Sequence, residues 1–368
     1  MNKSSKRITF FTISLVILLL FVWRGSVTKK GPTSTEIFQP ASAQAFNPSP
    51  EPIQTTRAIP SETAAAIDTS IPATKIPESQ QKIRAIMETY GHVDEKYLNE
   101  SYWIKMANDI ATEGPANRCT AFEFHGDNYS FYGGAYSMTP ESFISQMDYL
   151  MSNNYHFVTG PELVGFLEGW LDLPKKCVIL TTDSGSGSIH SMPRIIADFQ
   201  ALEAKYGYTP HMQSFIWTMG MAEEESSRCI DDLCWKEFRK YVESGYFTFG
   251  SHSQRHADFS TFTESETIWD LSTNIQKIKE NLGLQVYGIT WPLEACSPYP
   301  KILNDLGFKY AYGGWTRGMD QNFTYQSDPM PLCLPRLFPP NPWGVSGRPN
   351  EKTLKEILDS AEIISPLK

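Results

Sequence analysis

The pattern of apolar and polar positions divides the chain into regimes with different periods. Ile8–Trp23 (ITFFTISLVILLLFVW) is an unbroken apolar run of sixteen residues behind Lys3, Lys6 and Arg7. As a helix it spans ~24 Å, against a hydrocarbon core of ~30 Å, and Arg24 can snorkel to lengthen the span. The run predicts a signal-anchor over residues 1–30 that stays attached. Small-residue pairs at Ala41–Ala43 and Ala43–Ala45 lie far from it, and no lipobox cysteine follows it. Residues 31–78 show no helical or strand period and hold eight prolines among Ser, Thr and Ala, which predicts a disordered spacer. Residues 79–118 form a mixed lead-in with an amphipathic helix over Gln80–Tyr90.

From 119 to 368, short apolar runs alternate with amphipathic stretches. The predicted strands are TAFEFH (120–125), CVILTTD (177–183), MQSFIWT (212–218), YFTFGSH (246–252), VYGITWP (286–292), KYAYGG (309–314) and CLPRLF (333–338). Helices are predicted from Thr139 with Pro140 in the first turn, over Pro193–Lys205, and from the Thr263/Glu266 capping box to Leu282. Strand alternating with helix means a parallel sheet, open or closed into a barrel.

Charge and cysteine usage narrow the class. Six of the 32 basic residues lie in residues 1–30, leaving 26 basic against 41 acidic residues in the body. An acidic body repels polyanions, so nucleic acid is not an expected partner. All six cysteines (119, 177, 229, 234, 296 and 333) lie in the body, which fits an oxidising compartment and export of that body. Fifteen full pairings are open; Cys229 and Cys234 are near enough in sequence to close a small loop, and no second ligand pair makes them a zinc ribbon. Nine Trp and seventeen Tyr serve core packing first and sugar platforms second.

Functional side chains gather at the carboxyl ends of parallel strands. Three such ends are rich in them. TTDSGSGS (181–188) places Asp183 where the chain leaves the sheet; no Lys follows as a phosphate loop requires, and the serine-elbow spacing is absent. GSHSQRH (250–256) holds His252 and His256 four apart, which on a helical turn would put both imidazoles on one face as a metal pair. GITWPLEACSPY (288–299) offers Trp291 as pocket wall or core filler, and Glu294 as a carboxylate that could pair with Asp183 in a glycosidase.

Together, in this order, these segments resemble the polysaccharide deacetylases with a NodB homology domain, carbohydrate esterase family 4, over roughly residues 119–345. TTDSG (181–185) stands where the family has TFDDG, GSHSQRH is similar to its histidine motif, and a strand ending in proline (ITWPLE) follows. FHGD with His125 and LPRLF (334–338) with Arg336 resemble the exopolysaccharide branch. The resemblance implies a distorted (β/α) barrel that removes acetyl groups from an N-acetylated polysaccharide or cell-envelope glycan outside the membrane, using zinc or a similar divalent ion. It implies Asp183 as general base, His252 and His256 as metal ligands with Ser184 in the place of a third, and Trp291, Pro292, His125 and Arg336 along the substrate. Three departures stand out: Ser184 replaces the family's second Asp, Thr290 and Trp291 stand where many members carry an Arg, and no histidine follows His256. These departures open the alternative of a catalytically inactive glycan-binding or assembly protein.

Overall fold

The computed structural model describes residues 76–125, 140–222, 227–294, 296–313, 323–337, 339 and 354–363. The predicted anchor (8–23) and residues 31–75 of the spacer lie outside them. No helix among the described residues is long and apolar enough to cross a membrane.

Parallel strands β1 (Arg118–His125), β3 (Cys177–Ser184), β4 (Met212–Ile216), β5 (Phe247–Ser251), β6 (Gly288–Thr290) and β7 (Tyr310–Tyr312) run side by side in the order β7-β6-β5-β4-β3-β1. Two two-residue strands add to this: β2 (His156–Phe157) pairs with β3, and β8 (Thr324–Tyr325) runs antiparallel to β1. Around the sheet lie helices α1 (Ile76–Tyr90), α2 (Glu100–Glu113), α3 (Pro140–Ser152), α4 (Gly160–Leu167), α5 (Ser188–Tyr206), α6 (Leu233–Ser244), α7 (Glu264–Leu282), α8 (Pro300–Asp305) and α9 (Leu354–Ile363).

The predicted seventh strand is not a regular strand. It spans the gap between the first and last parallel strands instead. Leu334 donates its N–H to Ala311 O (2.7 Å) and Leu337 donates to Ala121 O (2.8 Å), forming bridges to β7 and β1. Pro335 has no N–H to give between them, so only two isolated bridges form. This strap curls the sheet into a distorted barrel and carries Arg336 across the closure. A disulfide between Cys296 and Cys333 pins its start to the segment after β6, and a second joins Cys119 of β1 to Cys177 of β3. The third, Cys229–Cys234, ties the segment before α6 to that helix's first turn.

Helix α5 starts five residues earlier than the pattern predicts, which places Pro193 inside it. Proline there leaves the carbonyl of Ile189 without its helical donor. Tyr241 of α6 supplies one, its hydroxyl donating to Ile189 O at 3.2 Å. The capping box at Thr263 and Glu266 forms as the sequence predicts, and an unpredicted one at Thr159 and Glu162 opens α4.

Helices α1 and α2 and the turn between them belong to the barrel's own core: Ile83, Met87, Tyr90, Tyr97, Trp103 and Met106 are buried in the same apolar cluster as the strands. The amino ends of β4 and β5 meet them through a buried polar chain. Tyr97 donates its hydroxyl to Gly245 O (2.9 Å) and so accepts from Nδ1–H of His211 (2.8 Å), while Thr248 donates to Nε2 of His211 (2.8 Å). Burial holds the His211 imidazole far below its usual range, at about 3. Unfolded, the same ring titrates near ~6.5. The proton is therefore taken up only on unfolding, so the stabilising effect is complete above about pH 6.5 and is lost as pH falls toward 3. Stability should decline by ~1.4 kcal/mol per pH unit across that window from this one group. Urea midpoints measured from pH 7 to pH 4 check this; His211→Gln should flatten the slope, and an equal slope in both proteins would refute the assignment.

Candidate active site

Side chains alternate along each strand. On β3, Thr181 and Asp183 therefore face the barrel interior, with Glu123 on β1, Gln213 and Phe215 on β4, and Thr290 on β6. The parallel register sets these beside one another: Glu123 pairs with Thr181 across β1–β3, and Asp183 pairs with Phe215 across β3–β4. His252 and Trp217 follow β5 and β4 at the same carboxyl end.

Asp183 is held from two sides. Arg336 grips it bidentately, Nη1 to Oδ1 at 3.0 Å and Nη2 to Oδ2 at 3.1 Å, and the same guanidinium lies 3.3 Å from Oε1 of Glu123. The Arg336 side chain is fully buried and that of Glu123 is 2% exposed. Such a fork fixes a carboxylate's plane as well as its place. From β6, Thr290 donates its hydroxyl proton to Asp183 Oδ1 (2.9 Å).

That one proton decides the state of His252. Its Nδ1 lies 2.7 Å from Thr290 Oγ1 and 3.0 Å from Thr290 O. The hydroxyl proton is committed to an acceptor-only carboxylate, so Nδ1 carries hydrogen and donates to Thr290. Burial, partly offset by Asp183, lowers the His252 pKa to about 4, so the ring is neutral at pH 7 and Nε2 is a lone-pair acceptor. Nε2 sits 3.6 Å from Oδ2 of Asp183. Two acceptors facing each other at that distance favour a water donating to both, or a cation.

His256 reaches the site differently from the predicted helical turn. Residues 252–258 form a loop in which Ser253 and His256 both adopt left-handed backbone conformations (φ 68° and 52°). This loop brings the two imidazole rings to 4.7 Å, edge to face. Helix α7 holds the loop: Asp270 accepts the N–H groups of Gln254 (2.7 Å) and Arg255 (3.2 Å), and Asn274 donates to Ser253 O and to Ile216 O. Neither α7 residue stood out in the sequence, where each reads as an ordinary polar helix position.

Ser184 turns away from this cleft. As the next residue along β3 it faces the opposite side of the sheet from Asp183, and its hydroxyl is bonded to that of Ser214 at 2.7 Å, both buried. The third ligand expected at this position is therefore not delivered. Among the described residues no three His, Cys, Asp or Glu side chains are placed to hold a metal ion. Among the described residues the three-ligand set of a catalytic zinc site is therefore not assembled.

Trp291 is a core residue, not a pocket wall. It is 1% exposed, packs on Phe259 with centroids 5.1 Å apart, and donates its indole N–H to Leu332 O (3.3 Å). Pro292 beside it is buried as well. Arg336 is inside the barrel, where it orients Asp183 and is not placed to lie along a substrate. The backbone of His125 pairs with Asp183 across β1–β3; its side chain, like that of Glu294, lies outside the described residues.

Asp183, His252 and His256 all fall within residues 171–311, and that segment matches the family model described as polysaccharide deacetylase. Over that segment the chain is similar to the polysaccharide deacetylases. Among solved structures, a polysaccharide deacetylase from Bacillus cereus is 20% identical, with a TM-score of 0.49 over 66% of this chain and 68% of its own. A Streptococcus pyogenes deacetylase in complex with acetate is 16% identical, with a TM-score of 0.48 over 63% of this chain and 97% of its own. A carbohydrate esterase family 4 pseudoenzyme from Bacillus anthracis is 17% identical, with a TM-score of 0.28 over 36% of this chain and 41% of its own. No curated protein matches the sequence. Glu123 and Arg336 lie outside the segment that matches the deacetylase family, yet they complete the surroundings of its Asp183.

Proposed function

We propose that this domain hydrolyses the acetamido group of an N-acetylated polysaccharide, with Asp183 as the general base. The observation that carries the reading is the convergence of Asp183, His252, Thr290 and Arg336 at one end of the barrel. Arg336 and Thr290 hold the Asp183 carboxylate, and its Oδ2 lies 3.6 Å from Nε2 of His252. A water bound between these two acceptors gives a proton to Asp183 as its oxygen adds to the acetyl carbon. Asp183 then returns that proton to the nitrogen as the C–N bond breaks, leaving acetate and a free amine. His252, neutral and fixed by Thr290, orients the water's second hydrogen.

Location outside the membrane, with residues 8–23 as the anchor, belongs to the same proposal. It is supported by three disulfides among the six cysteines, a pattern that reducing compartments disfavour. The deciding experiment is incubation of the purified chain with N-acetylglucosamine oligomers while acetate and reducing ends are both assayed. Acetate without new reducing ends is the expected result. Oligomer binding with neither product would assign the domain as a glycan binder, and new reducing ends alone would assign it as a glycosidase.

A further inference from the structure

Trp217 follows directly on β4. It follows Gln213 and Phe215 on the inward face of β4, and its backbone N–H extends the ladder by donating to Ser184 O at 2.9 Å. This puts it at the carboxyl end of the barrel, on the strand between those bearing Asp183 and His252. Its ring lies 5.3 Å from that of His256. The indole packs closely on glycines: a Cβ at Gly220 would come within 2.5 Å of Cε3, and one at Gly185 within 3.4 Å of the same atom. These close approaches fix the ring in place.

That Nε1–H is shut off from solvent and has no hydrogen-bond partner among the described residues. An indole N–H can only donate, and burying it unpaired is costly enough that native structures rarely do so without a reason. The groups at this end of the barrel whose hydrogen-bonding state is set, the Asp183 carboxylate and Nε2 of His252, are acceptors. An acetamido carbonyl oxygen is also acceptor-only, so neither of those groups can serve it.

We propose that Trp217 is a substrate-contacting residue whose Nε1–H donates to the acetyl carbonyl oxygen of an N-acetylated sugar. This inference rests on the deacetylase reading of the site and adds the donor which that reading lacks. As water adds to the carbonyl carbon, the oxygen accepting from Trp217 gains negative charge, and the bond strengthens in the transition state.

The test uses the full chain labelled with ¹⁵N at indole nitrogens. The Trp217 resonance is assigned by its absence in Trp217→Phe and followed during titration with N,N′-diacetylchitobiose or its fully deacetylated counterpart. A downfield shift with the acetylated sugar alone is expected, together with about tenfold weaker binding to Trp217→Phe, whose ring remains but whose donor is gone. A shift seen while no acetate is released would sustain this contact and refute the deacetylase reading. A resonance that stays fixed up to the highest sugar concentration, with or without acetate release, overturns the contact, as does an equal shift with both sugars.

Discussion

Replacing Arg336 with methionine is expected to destabilise the domain by about 3–5 kcal/mol, the usual cost of removing one partner from a buried ion pair. Methionine fills much of the volume but withdraws the guanidinium from Asp183 and Glu123, whose side chains are 9% and 2% exposed. Both carboxylates would then sit in the barrel without that cation. Arg336→Lys should fall between the two, because an ammonium keeps the charge but cannot bind Asp183 bidentately. Adding Glu123→Gln to Arg336→Met should recover part of the loss by removing one of the two buried charges that face the lost guanidinium. Urea midpoints of the four proteins check the series, and an unchanged midpoint in Arg336→Met would mean that the pair does not form.

Ser184→Asp has a large expected effect of another kind. By analogy with the family motif, a carboxylate at 184 would complete a metal site. The geometry predicts instead that it would be buried on the outer face of β3, against Ser214 and away from both imidazoles. Placing an uncompensated charge there should cost several kcal/mol and lower the melting temperature, most strongly above the pH at which the new carboxyl ionises. Calorimetric titration with zinc should give the same affinity in the variant and the parent. Markedly tighter zinc binding would show that position 184 faces the cleft.

Ser184 also marks where sequence reading and structure part. Alternating strand and helix patterns give the succession of strands along the chain, the capping box at Thr263 and the strand-end position of Asp183, because those signals are local. A motif read as a string, however, does not reveal on which face of β3 each residue stands. The pairing of His252 and His256 depends on left-handed turns at Ser253 and His256 and on Asp270 and Asn274 from α7, all set by tertiary contacts. Arg336 was visible as part of LPRLF, but its role was not, since nothing local says that its strap closes the barrel over Asp183. Trp291 was evenly balanced between wall and core on sequence grounds, and packing on Phe259 decides for core. The paired cysteines could be counted but not matched, because matching needs the strand order.

The central claim is that Asp183 performs proton transfer in acetyl hydrolysis. It is tested most directly by acetate release from N-acetylglucosamine oligomers by the parent and by Asp183→Asn, each confirmed as folded by its thermal transition. Asparagine keeps the shape but cannot take a proton, so release should fall about 10²–10⁴-fold, the range associated with loss of a general base. An Asp183→Asn protein that releases acetate at the parent's rate would contradict the account.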